Sequence, residues 1–218
     1  MRIYINVTKG HNIPFNCQHL LTGVLHKWIG QSNVEHGKTS LYSFSWLQNI
    51  KISADGIGLT PDSYFFISAH HESLIQKIIK GVLEDPFLFN GIKATDIQIR
   101  ETPIFSNEGS FLLGSPVFIK RSEGKMEKHI LYTDGQSGQF MTETLKRKLQ
   151  IAGMAVEGVS VCFDDGYLNA KTKIARYDDI DNKVSICPII VKGSPEQVAF
   201  AWNVGVGNST GIGFGALK

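Results

Sequence analysis

The chain has 218 residues, 42% of them hydrophobic and 19% charged, a balance that excludes disorder and leaves room for one large domain or two small ones. A net charge of +2 excludes a strongly basic field over the whole molecule, so contact with nucleic acid must rest on a local basic surface. No apolar run approaches the ~20 residues of a membrane span, and Cys17, Cys162 and Cys187 form no Cys-x-x-Cys pair, which argues against a disulfide frame and a zinc site.

In chain order, residues 2–8 alternate as a strand does, and the absence of a signal-peptide apolar region here leads to the expectation of a cytoplasmic protein. Residues 15–29 read as an amphipathic helix, with Cys17, Leu20, Leu21, Val24, Leu25 and Trp28 on one side of a 3.6-residue wheel. Strands are predicted over 41–46, 50–53 and 63–68. A second helix follows from Leu74, Ile75, Ile78, Ile79, Val82 and Leu83, ended by Asp85-Pro86, and then a strand over 94–101. This order is β-α-β-β-α-β, the split ferredoxin-like unit.

The second half repeats the order without repeating the sequence. A strand is predicted over 111–120, a hairpin turn at 122–124, a helix over 137–151, and strands over 156–163, 171–177 and 184–191. Ser194-Pro195-Glu196 then starts a helix, with serine as N-cap and proline in the first turn. The expected fold is α+β, two tandem ferredoxin-like domains over residues 1–104 and 110–218.

That last helix leads into Gly205-Val-Gly-Asn-Ser-Thr-Gly-Ile-Gly-Phe-Gly215, which holds five of the chain's 22 glycines and no charged residue. Such a segment suits backbone exposure and close approach of another group, and successive N–H groups can cradle an anion such as phosphate. A dinucleotide fingerprint is a poor match, since that motif opens a helix after the first strand of a βαβ unit and is followed by an acidic residue, and a mononucleotide site is disfavoured because no helix follows the segment and no Walker lysine is present.

Two ferredoxin-like halves ending in this glycine segment resemble the RAMP superfamily of CRISPR-associated RNA-binding proteins. Within it the chain looks like the repeat-processing endoribonucleases, through the glycine segment, the stretch His19-Leu-Leu-Thr-Gly-Val-Leu-His26, and Leu41-Tyr-Ser-Phe-Ser45. The resemblance implies metal-independent cutting of precursor CRISPR RNA. The ribose 2′-OH attacks the adjacent phosphate, leaving a 2′,3′-cyclic phosphate and a 5′-OH, with no cofactor. It also implies a catalytic histidine in or just beyond the first helix.

That reaction needs alignment, a proton acceptor and donor, and positive charge near the phosphorane. Histidine suits the proton work because its reference pKa of about 6.5 lies near operating pH. By the resemblance, His36, in the linker Asn33-Val-Glu-His-Gly-Lys38, is the first choice for acid or base, His26 the second, and Lys38 the charge partner. His19 and His26 fall on the polar side of the first helix with Gly23 and Gly30, where glycine makes sense if something packs closely. The ordinary alternative for each histidine is a solvated side chain. His70-His71 read as cap or surface residues, His129 stands isolated in the second half, and Asp164-Asp165 and Asp178-Asp179 read as turn aspartates, so no metal is assigned.

For RNA contact the candidates are Gly205, Gly207, Asn208, Ser209, Gly211, Gly213 and Gly215, with Lys120, Arg121, Lys171 and Lys173 as backbone-binding cations. Lys146-Arg147-Lys148 reads as a further basic helix face, and Tyr132, Tyr167 and Tyr177 either stack bases or fill core. Expected partners are CRISPR repeat RNA, with interference-complex subunits and a second copy of the chain as open alternatives, and no membrane. Three functions compete: the repeat endoribonuclease, a catalytically inactive RAMP-type subunit that holds crRNA, and a disfavoured mononucleotide enzyme.

Overall fold

Alternation along β1 (Arg2–Val7) buries Ile3, Ile5 and Val7 on one face and turns Arg2, Tyr4 and Asn6 to the other. The computed structural model describes residues 1–10, 12–30, 39–124 and 126–218. After the short β2 (Asn12–Ile13) come α1 (Gln18–Ile29), β3 (Tyr42–Phe44), β4 (Gln48–Ser53), β5 (Gly56–Ala69), α2 (Glu72–Glu84) and β6 (Ala94–Arg100). β5 pairs antiparallel with β1 on one side and with β3 and β4 on the other, while β1 also pairs antiparallel with β6. The first half is therefore a ferredoxin-like sheet, with both helices contributing to the core above Ile3, Ile5 and Val7.

The two helices meet at Gly81, where a Cβ would stand 2.6 Å from Trp28 Cα. Trp28 donates its indole N–H to Asp85 O at 2.8 Å, so the residue that caps α2 also holds α1. Leu83, predicted on the buried stripe, is exposed, because Leu74, Ile75, Ile78 and Val82 already fill the face toward the sheet.

In the second half, β7 (Glu108–Phe111), α3 (Ser137–Ile151), β10 (Ser160–Phe163), β13 (Ile189–Lys192) and α4 (Pro195–Val204) repeat the plan. The sheet order is β10-β13-β7, and Leu217 bridges Leu113 beside β7 where a fourth strand would lie. Two hairpins are inserted, β8 (Lys120–Glu123) with β9 (Met126–His129), and β11 (Lys171–Tyr177) with β12 (Ile180–Ile186).

The predicted helix over 137–151 and strand over 171–177 match α3 and β11. Two predicted strands break. The one over 111–120 stops at Phe111 and resumes at Lys120, and the one over 184–191 splits into β12 and β13. Pro116 and Pro188 lie in the gaps, and proline has no N–H for a ladder. α4 starts as its sequence predicts. Ser194 Oγ accepts from Gln197 N at 3.3 Å and Gln197 Oε1 accepts from Ser194 N at 2.8 Å.

Each half has its own apolar cluster, and a third, smaller one joins Phe118, Ala175, Val184 and Phe214. Arg2 fastens the halves together. Only 1% exposed, it donates to Ser68 Oγ (2.6 Å), Trp202 O (3.2 Å) and Leu217 O (2.7 Å). Its guanidinium lies between the rings of Trp202 (3.4 Å) and Phe66 (4.0 Å).

Candidate nucleic-acid interface

Helical spacing puts His19, Gly23, His26 and Gly30 in one stripe along α1, the two histidines seven residues and ~10 Å of helix apart. Both imidazoles are partly buried, and His19 Nδ1 is enclosed without a hydrogen-bond partner among the described residues. Among the described residues nothing packs on Gly23 or Gly30: a Cβ at either would find none of their atoms outside the local helix backbone within 4 Å. No described residue covers the stripe at these glycines. Lys27 leans the other way, onto Asp85 at 2.9 Å and the carbonyl of Phe87. His36 and Lys38 lie outside the described residues.

Gln18, at the start of α1, donates to Ile212 O at 3.4 Å and so ties the helix to the glycine segment. That segment runs from α4 through a 3₁₀ turn at Thr210–Ile212. Its predicted close approach is made by the chain itself. Most of it is buried, with Asn208, Ser209 and Ile212 partly open. A Cβ on Gly211 would stand 2.8 Å from Ser40 Cβ, and one on Gly213 would collide with the Gln18 amide at a backbone φ of +86°. Gly205 and Gly207 are equally tight, against the carbonyls of Gly215 and Phe118 at 2.6 Å, and Gly215 presses on Val206.

Several of the segment's N–H groups are already used. Val206 N donates to Gly215 O (2.9 Å), Asn208 N to Phe118 O (2.7 Å) and Gly215 N to Pro116 O (2.7 Å). Ser209, at the tip, has a left-handed φ of 59°.

Beneath the segment lies Lys148, which the sequence reading placed on a basic surface. It is 3% exposed, and its ammonium donates to Val204 O (2.9 Å), Gly205 O (3.3 Å) and Thr210 Oγ1 (2.8 Å). Thr210 Oγ1 in turn donates to Tyr42 O at 3.0 Å. The Lys148 acceptors include the last carbonyls of α4, where a cation is favoured. Burial lowers its pKa to about 7. The wheel carried a signal for this: Met141, Leu145, Lys148 and Leu149 share the buried face of α3.

The predicted cations divide into two groups. Lys120 pairs with Glu127 (2.8 Å) and Arg121 with Glu143 (3.0 Å), Arg121 also lying over Phe140 at 4.4 Å. Lys120 still borders the glycine segment, its backbone N–H bonded to Asn208 Oδ1 at 3.0 Å. Lys171 and Lys173 are exposed on β11, with Lys173 Nζ 5.2 Å from the centre of the Trp46 ring. Trp46 donates its indole N–H to Gly213 O at 2.7 Å, which links that row to the glycine segment. The fold thus gathers α1, the glycine segment, the start of β8 and β11 around one region.

Tyr132 donates to Ala170 O at 3.3 Å, and the Tyr177 ring centre stands 6.5 Å from that of Phe214. Tyr167 is partly exposed. His129 Nδ1 accepts from Lys183 N at 3.2 Å, and the His70 ring lies 4.9 Å from that of Phe200, where burial lowers its pKa. Asp164 Oδ1 caps a turn by accepting from Gly166 N at 3.1 Å. Among the described residues, no three His, Cys, Asp or Glu side chains cluster as metal ligands, and no helix is long and apolar enough to cross a membrane.

Two ferredoxin-like units closed by a glycine-rich segment between them define a RAMP-type α+β protein. Residues 99–218, more than half of the chain, match the family model "CRISPR associated protein Cas6, C-terminal", and the chain belongs to the Cas6 family. No curated protein sequence matches it. Among solved structures, one described as "CRISPR associated protein Cas6" has a TM-score of 0.84 at 22% identity, covering 100% of this chain and 98% of the other. A Cas6-related protein from Pyrococcus furiosus has a TM-score of 0.83 at 20% identity, covering 100% and 97%. "An RAMP protein binding different RNA substrates" has a TM-score of 0.85 at 20% identity, covering 100% and 98%. These likenesses establish the double ferredoxin-like fold.

Proposed function

We propose that this chain is a cytoplasmic endoribonuclease that cuts precursor CRISPR RNA within its repeats, without metal or cofactor. The observation that carries this reading is the His19–His26 stripe of α1, tied through Gln18 to the glycine segment in a member of the Cas6 family. The 2′-oxygen of the scissile nucleotide gives its proton to a base, bonds to phosphorus, and expels the 5′-oxygen, which takes a proton from an acid. His36 and His26 supply these proton positions in the proposal, and Lys38 offsets charge on the phosphorane. The halves 1–104 and 110–218 hold the catalytic helix and the RNA-binding segment respectively. Asn208 and Ser209 at the open tip, together with Lys120, Arg121, Lys171 and Lys173, contact the RNA backbone.

End-labelled repeat RNA incubated with the protein in EDTA tests this reading. Cutting should persist, leave a 2′,3′-cyclic phosphate, and vanish when the scissile ribose is 2′-deoxy. A magnesium requirement or a 3′-OH product defeats the mechanism. Binding without cutting returns the reading in which the chain holds crRNA for an interference complex. A role as homodimer or complex subunit is tested by sedimentation with and without RNA.

A further inference from the structure

Between the start of α1, the β4–β5 hairpin and β11 lies a cavity of about 170 Å³ to which the functional reading assigns no occupant. Buried Cys17, Leu47 and Ile57 line its interior, and Phe15 and Ile174 line it while 55% and 60% exposed. We propose that this pocket takes a single unstacked nucleobase of the bound RNA, with the adjoining phosphate on Lys173. The inference rests on the RNA-binding reading above and adds a base-contact site to it.

Size comes first. Pockets for larger organic ligands run to ~300–1,000 Å³, so this one suits a single ring system. Chemistry comes second. Two large apolar side chains left half in water at the same cavity gain when a flat apolar face covers them. Phe15 offers a ring for stacking, the usual way a protein holds an unpaired base.

Charge comes third. Lys173 also lines the cavity, its ammonium over Trp46, and Lys171 lies two residues earlier on the same face of β11. Among the described residues neither lysine forms an ion pair, whereas Arg176 is held by Asp181 at 2.9 Å. An anion next to the base therefore finds an available cation. β11 pairs with β12 on one side, and its other edge has backbone N–H and C=O groups that can read a base edge. The Asn16 side chain, also at the cavity, adds an amide with both donor and acceptor.

Trp46 allows a direct test, because it lines the cavity and is partly exposed, whereas Trp28 and Trp202 are 2% and 6% exposed. The full chain is titrated with repeat RNA while Trp46 emission is followed, and affinity is measured separately by anisotropy of labelled RNA. Emission should change as RNA binds. Phe15→Ala should weaken affinity by about 5- to 100-fold, the loss that removing one stacking aromatic brings, and Phe15→Tyr should restore it. With 4-thiouridine placed singly through the repeat, one unpaired position should photo-crosslink to a peptide containing residues 15–18, 46–50 or 173–176.

Tight RNA binding unchanged in Phe15→Ala, with no such crosslink, overturns the pocket and leaves the RNA-binding reading intact. Failure of the wild-type chain to bind repeat RNA overturns both. Trp46 emission that follows protein concentration and ignores RNA assigns the cavity to a second copy of the chain and overturns the proposal.

Discussion

Single side chains separate the chemistry of cutting from the grip on RNA. His36→Ala should slow cleavage by about 10²–10⁴ with affinity kept, the usual worth of a general acid or base. His26→Ala should slow it less, by about 10–10², because a helix-borne imidazole suits alignment or charge stabilisation; single-turnover rates check both. Ser209→Asp asks a different question. Aspartate tolerates the left-handed backbone there, so the fold should survive while a negative charge at the open tip weakens RNA binding, measured by anisotropy alongside the melting temperature. Lys148 bears on stability instead. The unfolded chain keeps this proton up to about its ordinary pKa of 10.5 and the folded chain only up to about 7. Between those values the unfolded state binds more protons, so stability rises with pH; below about 7 the full cost of the buried charge is present. Melting between pH 7 and 9.5 should show that rise in the wild type and lack it in Lys148→Met.

Among the elements, the glycine segment is the one whose role differs most from its appearance. Composition alone pointed to an exposed backbone, yet Gly211 and Gly213 pack on Ser40 and Gln18, residues about 170 and 195 positions away in sequence. Gly213→Asp should therefore lower the melting temperature before any effect on RNA can be read, since it adds a collision, a strained φ and a buried charge. Ser209→Asp, at the tip, should not. Thermal melts of the two variants side by side check the contrast. Elements with a strong period were legible: α3, β11 and the Ser194 cap follow from local spacing alone. The stripe on α1 was legible in part, as a polar face bearing His19 and His26. What local spacing could not supply was the partner across the fold, and so Lys148 was read as surface and the glycines as open. His36 and Lys38 lie outside the described residues, and their proposed roles come from the resemblance.

For the molecule as a whole, Arg2 joins the first sheet to α4 and to Leu217 through three hydrogen bonds and two aromatic faces. Arg2→Ala should destabilise by ~3 kcal/mol or more, since it leaves a cavity and unsatisfied carbonyls at the seam, and the loss is measured by urea unfolding. The glycine segment has a further consequence, in time rather than in energy. Its bonds reach from Thr210 to Tyr42 and from Ile212 to Gln18, spans that only a nearly complete chain can close, and such distant pairings form late and slow the search. The surface proposed to grip RNA would then be the last part of the molecule to take shape. In stopped-flow experiments, loosening that segment with Thr210→Val should raise the unfolding rate while the refolding rate barely moves.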